Sequence, residues 1–128
     1  MELRTAVLDL PDLADQLDVI CEFCSEFAPE STVALYGWGC RLETPELWRE
    51  MPTPTSALRG FIRASVERGV YELGESDLFL QDEAKSFEFL LCHESDLHFK
   101  TEVEEWLQRV ESRWQAAGLR PVRVSAEP

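Results

Sequence analysis

The chain reads as an α+β domain of two layers, a mostly antiparallel sheet of about five strands packed against three helices. Three observations predict this. Apolar residues recur at helical spacing in three stretches, and short β-branched or aromatic runs lie between them. After residue 72, three such runs follow one another across short polar links, the pattern of an antiparallel meander. The 128 residues suit one domain spanning 1–128, and 45 % apolar residues are enough for an ordinary core.

The elements follow in order. Arg4–Leu8 reads as a short first strand. Asp9 is placed to cap a helix that Pro11 opens, because proline's fixed φ and missing N–H suit a first turn. Leu13, Leu17, Ile20, Cys21, Cys24 and Phe27 then fall within about 120° of arc, one apolar face ending at Pro29. Thr32–Trp38 reads as a strand closing at Gly37 and Gly39. Three prolines between Thr44 and Pro54 break any long element there, leaving room for a helical turn at Pro45–Arg49.

Thr55 or Ser56 starts a second helix with Leu58, Phe61, Ile62 and Val66 inward, Arg59 and Arg63 outward, and Gly69 as terminator. Leu78–Gln81, Phe87–Cys92 and Leu97–Lys100 are extended, joined by links of hairpin length. Thr101 and Glu104 have the spacing of a capping box before Val103, Trp106, Leu107, Val110 and Trp114, with Gly118 past the end. Pro121–Ser125 reads as an edge strand, and the residues to 128 as a frayed tail.

Charge sets the functional expectation. Twenty-five Asp and Glu oppose twelve Lys and Arg, a net −13. Charge of one sign repels nucleic acid and anionic membrane and steers basic proteins toward the chain. The N-terminus lacks a basic segment followed by an apolar run, so it reads as no signal peptide, and a cytoplasmic protein with reduced cysteines is expected.

Motifs for catalysis are missing. No P-loop, G-x-G-x-x-G, G-x-S-x-G or H-E-x-x-H occurs. Cys21 and Cys24 have knuckle spacing but lie on the apolar helix face, and Cys40, Cys92, His93 and His98 supply no matching second pair. Buried thiols are therefore expected, with no metal and no cofactor. Cys92 and His93 are adjacent on a strand and should point to opposite faces, which argues against a nucleophile–base pair; His98 could approach Cys92 across the turn.

Two acidic zones are candidate partner-binding surfaces. One is the ridge Asp15, Asp18, Glu22 and Glu26, within about 80° opposite the first helix's apolar face. The other comprises Glu72, Glu75, Asp77, Asp82, Glu83, Glu94 and Asp96. Acids at the last helix's start have an ordinary dipole explanation. Trp106 and Trp114, eight apart on that helix, read as core. Tyr36, Trp38 and Trp48 sit in or beside the Gly/Pro-rich region and could form the apolar centre of a contact with acids at its rim.

The segment Phe87–Lys100 (FEFLLCHESDLHFK) running into Thr101–Gly118 (TEVEEWLQRVESRWQAAG), in a small acidic α+β chain, resembles bacterial immunity proteins made against secreted toxins. The resemblance implies a stoichiometric, non-catalytic inhibitor, monomeric rather than dimeric, that covers the active site of a basic toxin domain. Three other readings compete: an acidic dimeric chaperone for a secreted effector, a DNA-mimic inhibitor, and an enzyme built on Cys92, His93 and His98.

Overall fold

The computed structural model describes residues 1–124. Asp9 caps α1 (Leu10–Phe27) as expected, its carboxylate accepting from the Asp12 N–H at 2.9 Å, with Pro11 in the first turn. Before it, β1 is confined to Glu2–Arg4 rather than Arg4–Leu8. The reason is Thr5, whose hydroxyl accepts from the Leu97 N–H at 3.0 Å and so replaces a backbone ladder bond where the strand ends. β2 (Ser31–Tyr36) follows, then one turn of 3₁₀ helix at Thr44–Glu46.

β3 (Met51–Pro54) is a strand the prolines had argued against. It survives because it lies at the sheet's edge, where its outward positions need no N–H. A 3₁₀ turn at Thr55–Ala57 leads into α2 (Leu58–Glu67), on which Leu58 and Ile62 are buried as expected while Val66 is exposed. β4 (Leu78–Gln81), β5 (Phe87–Leu91) and β6 (Leu97–Thr101) form the anticipated meander.

α3 (Glu104–Ala116) lacks the expected capping box. Thr101 stays in β6, its hydroxyl donating to Ser86 O at 2.8 Å and accepting from the Val103 N–H at 3.0 Å, so Val103 is the residue preceding the helix. β7 (Val122–Val124) is the expected edge strand; residues 125–128 of that expectation lie outside the described part of the chain.

The described strands make one antiparallel sheet in the order β3-β2-β4-β5-β6-β1-β7, seven rather than about five. The three described α-helices cover one face, giving the expected α+β architecture. Phe23 and Phe27 of α1 meet Phe87, Phe89 and Phe99 of the sheet, and Trp106 of α3 stacks on Phe27 at 4.6 Å. Tyr36 of β2 stacks on Phe61 of α2, and Trp114 is fully buried. Each such side chain contributes about 1.5–3 kcal/mol by leaving water. On the uncovered face the register aligns Leu35, Phe79, Leu90, His98 and Arg4 across five strands. No described helix is long and apolar enough to cross a membrane.

Candidate functional site

The hairpins divide the second acidic zone between opposite ends of the sheet. Glu72, Glu75, Asp77, Glu94 and Asp96 gather at the end where β2 leaves and β4 begins; Asp82 and Glu83 lie at the other. The first end is built from four segments. Trp38 O accepts from the Asp77 N–H at 2.8 Å, Gly74 O from the Ser95 hydroxyl at 3.0 Å, and Ser95 O from the Leu8 N–H at 2.8 Å. Gly39 is required here: its φ is +80°, and a Cβ would come within 2.5 Å of Glu75 O.

Trp38 stands on this end 66 % exposed, with its ring 5.9 Å from that of His93. Leu10 and Val7 are exposed on the segment entering α1, and Leu10 shares a shallow cleft with Glu72, Glu75, Arg41 and exposed Val66. Sequence reasoning missed Leu10, because its position falls inside the helix's apolar arc. Carboxylates crowd the rim. Glu72, by hydrogen bond and charge, raises the Glu75 carboxyl above its ordinary value, and the charge of Asp9 does the same to Asp12. Asp15, the first acid of the ridge, adds to the repulsion at Asp12.

The rest of the ridge is neutralised. Asp18 and Glu22 face Arg59 of α2 at 3.7 Å, Glu22 faces Arg113 at 3.5 Å, and Glu26 meets Arg109 of α3 at 2.7 Å.

Other expected contact residues have internal duties. Tyr36 is only 2 % exposed and donates its hydroxyl to Ser65, so it cannot centre a contact. Asp77 is 7 % exposed; its Oδ1 accepts from the His93 N–H at 2.6 Å and pairs with His93 Nδ1 at 2.9 Å. Asp82 accepts from the Ser86 and Phe87 N–H groups and closes the β4–β5 turn. Asp96 holds His98 Nε2 at 2.8 Å. Glu83 and Glu94 are exposed. Trp48 is 54 % exposed, as expected, with a left-handed φ of 64°. Its ring lies over Gly37, where a Cβ would meet it at 2.5 Å, and packs on Phe79.

The Cys92 region departs from the strand-alternation argument. β5 ends at Leu91, so Cys92 and His93 sit in a turn, and Cys92 Sγ lies 3.8 Å from His93 Nδ1. That contact does not make a nucleophile and base. Nδ1 carries its proton toward Asp77, a carboxylate that can only accept, and cannot take one from sulfur. Burial first, and the neighbouring Asp96 carboxylate after it, push the Cys92 thiol up to about 12. Two triplets, Asp77/Cys92/His93 and Cys92/Asp96/His98, each bring their potential ligand atoms within 4.8 Å of one another. Cys21 and Cys24 are buried free thiols on α1, and burial raises both.

No family model, curated protein or solved structure matches the chain.

Proposed function

We propose that this chain is a non-catalytic binding protein that neutralises a basic protein, acting as an immunity protein that covers the active site of a cognate bacterial toxin. One observation carries the reading: exposed Trp38 and Leu10 stand among carboxylates whose nearest charged neighbours include other carboxylates. Like charges held together on a surface are a local cost that a cationic partner relieves, and an aromatic side chain at the centre supplies desolvated contact area. Long-range attraction from the net −13 speeds encounter. The site is Trp38, Leu10, Glu72, Glu75 and Glu94, with Asp12 and Asp15 at its margin.

A phosphate-like row for a DNA mimic is poorly supported, since three of the four ridge acids face arginines. Catalysis lacks support too, because His93 is committed to Asp77 and the Cys92 thiol stays protonated. The chaperone reading draws on one feature, the uncovered sheet face where Leu35, Phe79 and Leu90 align beside Trp48. Size-exclusion chromatography with light scattering separates the two: a monomer favours the inhibitor, a dimer closed on that face the chaperone.

The deciding experiment is capture of partners from the native host at low salt, followed by their identification. A basic toxin domain whose activity is abolished at one equivalent of this chain supports the proposal. An acidic or nucleic-acid partner contradicts it.

A further inference from the structure

We propose that Cys92 Sγ, an Asp96 carboxylate oxygen and His98 Nε2 form a three-ligand site for a divalent transition-metal ion, zinc by donor type. Thiolate, imidazole and carboxylate are the ligands zinc combines, and three protein ligands leave a fourth position for water. The three potential ligand atoms lie within 4.8 Å of one another across the β5–β6 turn. Tetrahedral bonds of zinc length place these ligand atoms about 3.3–3.6 Å apart, so no separation changes by more than about 1.5 Å.

A buried, unpartnered atom separates this triplet from its neighbour. Asp96 Oδ2 bonds His98, but Oδ1 is buried with no hydrogen-bond partner among the described residues. A buried carboxylate oxygen without a donor is costly, and a cation removes that cost. Asp77, in the other triplet, already accepts from both His93 N–H groups. The outer shell is also present. Glu2 Oε2, which accepts from Arg4 Nε, lies 3.7 Å from His98 Nδ1 and could accept a hydrogen bond from Nδ1–H once Nε2 is given to metal, the carboxylate–histidine–metal arrangement. On binding, the Nε2 proton shifts to Nδ1, the Cys92 thiol proton passes to solvent, and Sγ and Nε2 donate their electron pairs to the ion.

The test titrates chelator-treated protein with Co²⁺ alone, then displaces it with Zn²⁺. One equivalent should bind with thiolate-to-cobalt charge-transfer absorption, and Zn²⁺ should abolish the band and raise the melting temperature. His98→Gln and Asp96→Asn should each weaken binding at least about tenfold, while His93→Gln leaves it unchanged. Circular dichroism of each metal-free variant confirms the fold, and His98→Gln, on the uncovered face, is the decisive arm. No charge-transfer band in the unmodified protein overturns the proposal. So does a band that His98→Gln retains, or one that only His93→Gln removes.

Discussion

The acidic face of α1 and the loop end around Trp38 use the same residue types, yet three acids of the first pair directly with arginines while Glu72 and Glu75 of the second crowd each other, with Arg41 offsetting Glu75 only in part. The difference comes from what the fold brings opposite each. Arg59 of α2 and Arg109 and Arg113 of α3 arrive from distant sequence to face Asp18, Glu22 and Glu26. At the loop end the carboxylates crowd one another locally instead, Asp12 beside its helix cap Asp9 and Glu75 beside Glu72, each pair three residues apart. A charge count therefore measures the capacity to attract a basic partner, while topology decides where that capacity is still uncommitted.

The comparison can be broken or sharpened by substitution. The largest expected effect is at Asp77, the most deeply buried acid of the loop end. Asp77→Ala strands the His93 N–H groups and should cost about 2–4 kcal/mol in urea unfolding. A loss below about 0.5 kcal/mol would show that Asp77 is no more structural than Glu72. Next is Trp38→Ala, which should weaken an identified partner by about 2 kcal/mol, roughly thirtyfold by calorimetry, with folding stability changed by less than about 0.5 kcal/mol.

Smaller still is the paired neutralisation. Glu72→Gln with Glu75→Gln should slow association about tenfold at low salt and flatten its salt dependence, by stopped-flow fluorescence. Asp18→Asn with Glu22→Gln and Glu26→Gln should change association far less and instead lower stability by about 0.5–1 kcal/mol, the scale of exposed ion pairs. Equal kinetic effects from the two sets would erase the distinction.

The smallest effect is in pH. A raised Glu75 carboxyl means the folded state binds that proton more tightly than the unfolded chain, so its repulsion destabilises at neutral pH and fades as pH falls. Glu75→Gln should then be slightly more stable than the unmodified protein at pH 7, with the gap closing toward pH 4 in thermal melts.

Much of the architecture was legible because it rests on local chemistry. The Asp9 cap, the α1 apolar arc and the three-strand meander follow from side-chain periodicity and turn length. β3 was hidden because Pro52 and Pro54 forbid a central strand but not an edge strand, and edge position is a property of the whole sheet. The capping box failed for a similar reason, since Thr101 was committed to pairing with Phe87 of β5 and to the Ser86 carbonyl just before it.

The site was legible in kind and misread in detail. Trp38 and Trp48 are exposed as their Gly/Pro-rich surroundings suggested, whereas Tyr36, two residues from Trp38, turns into the core. Residues close in sequence, such as Asp77 and Asp82, go to opposite ends of a four-residue strand. Ion pairing between helices leaves no trace in local sequence, so the ridge looked as available as the loop end.

Hydrogen exchange on the chain bound to its partner tests the central claim most directly. Protection concentrated in residues 37–41, 72–76 and 93–96, with α1 unchanged beyond its first two turns, is the predicted result. Protection centred on residues 18–26 of α1 or on the 82–86 turn, with the Trp38 loop unaffected, would contradict it.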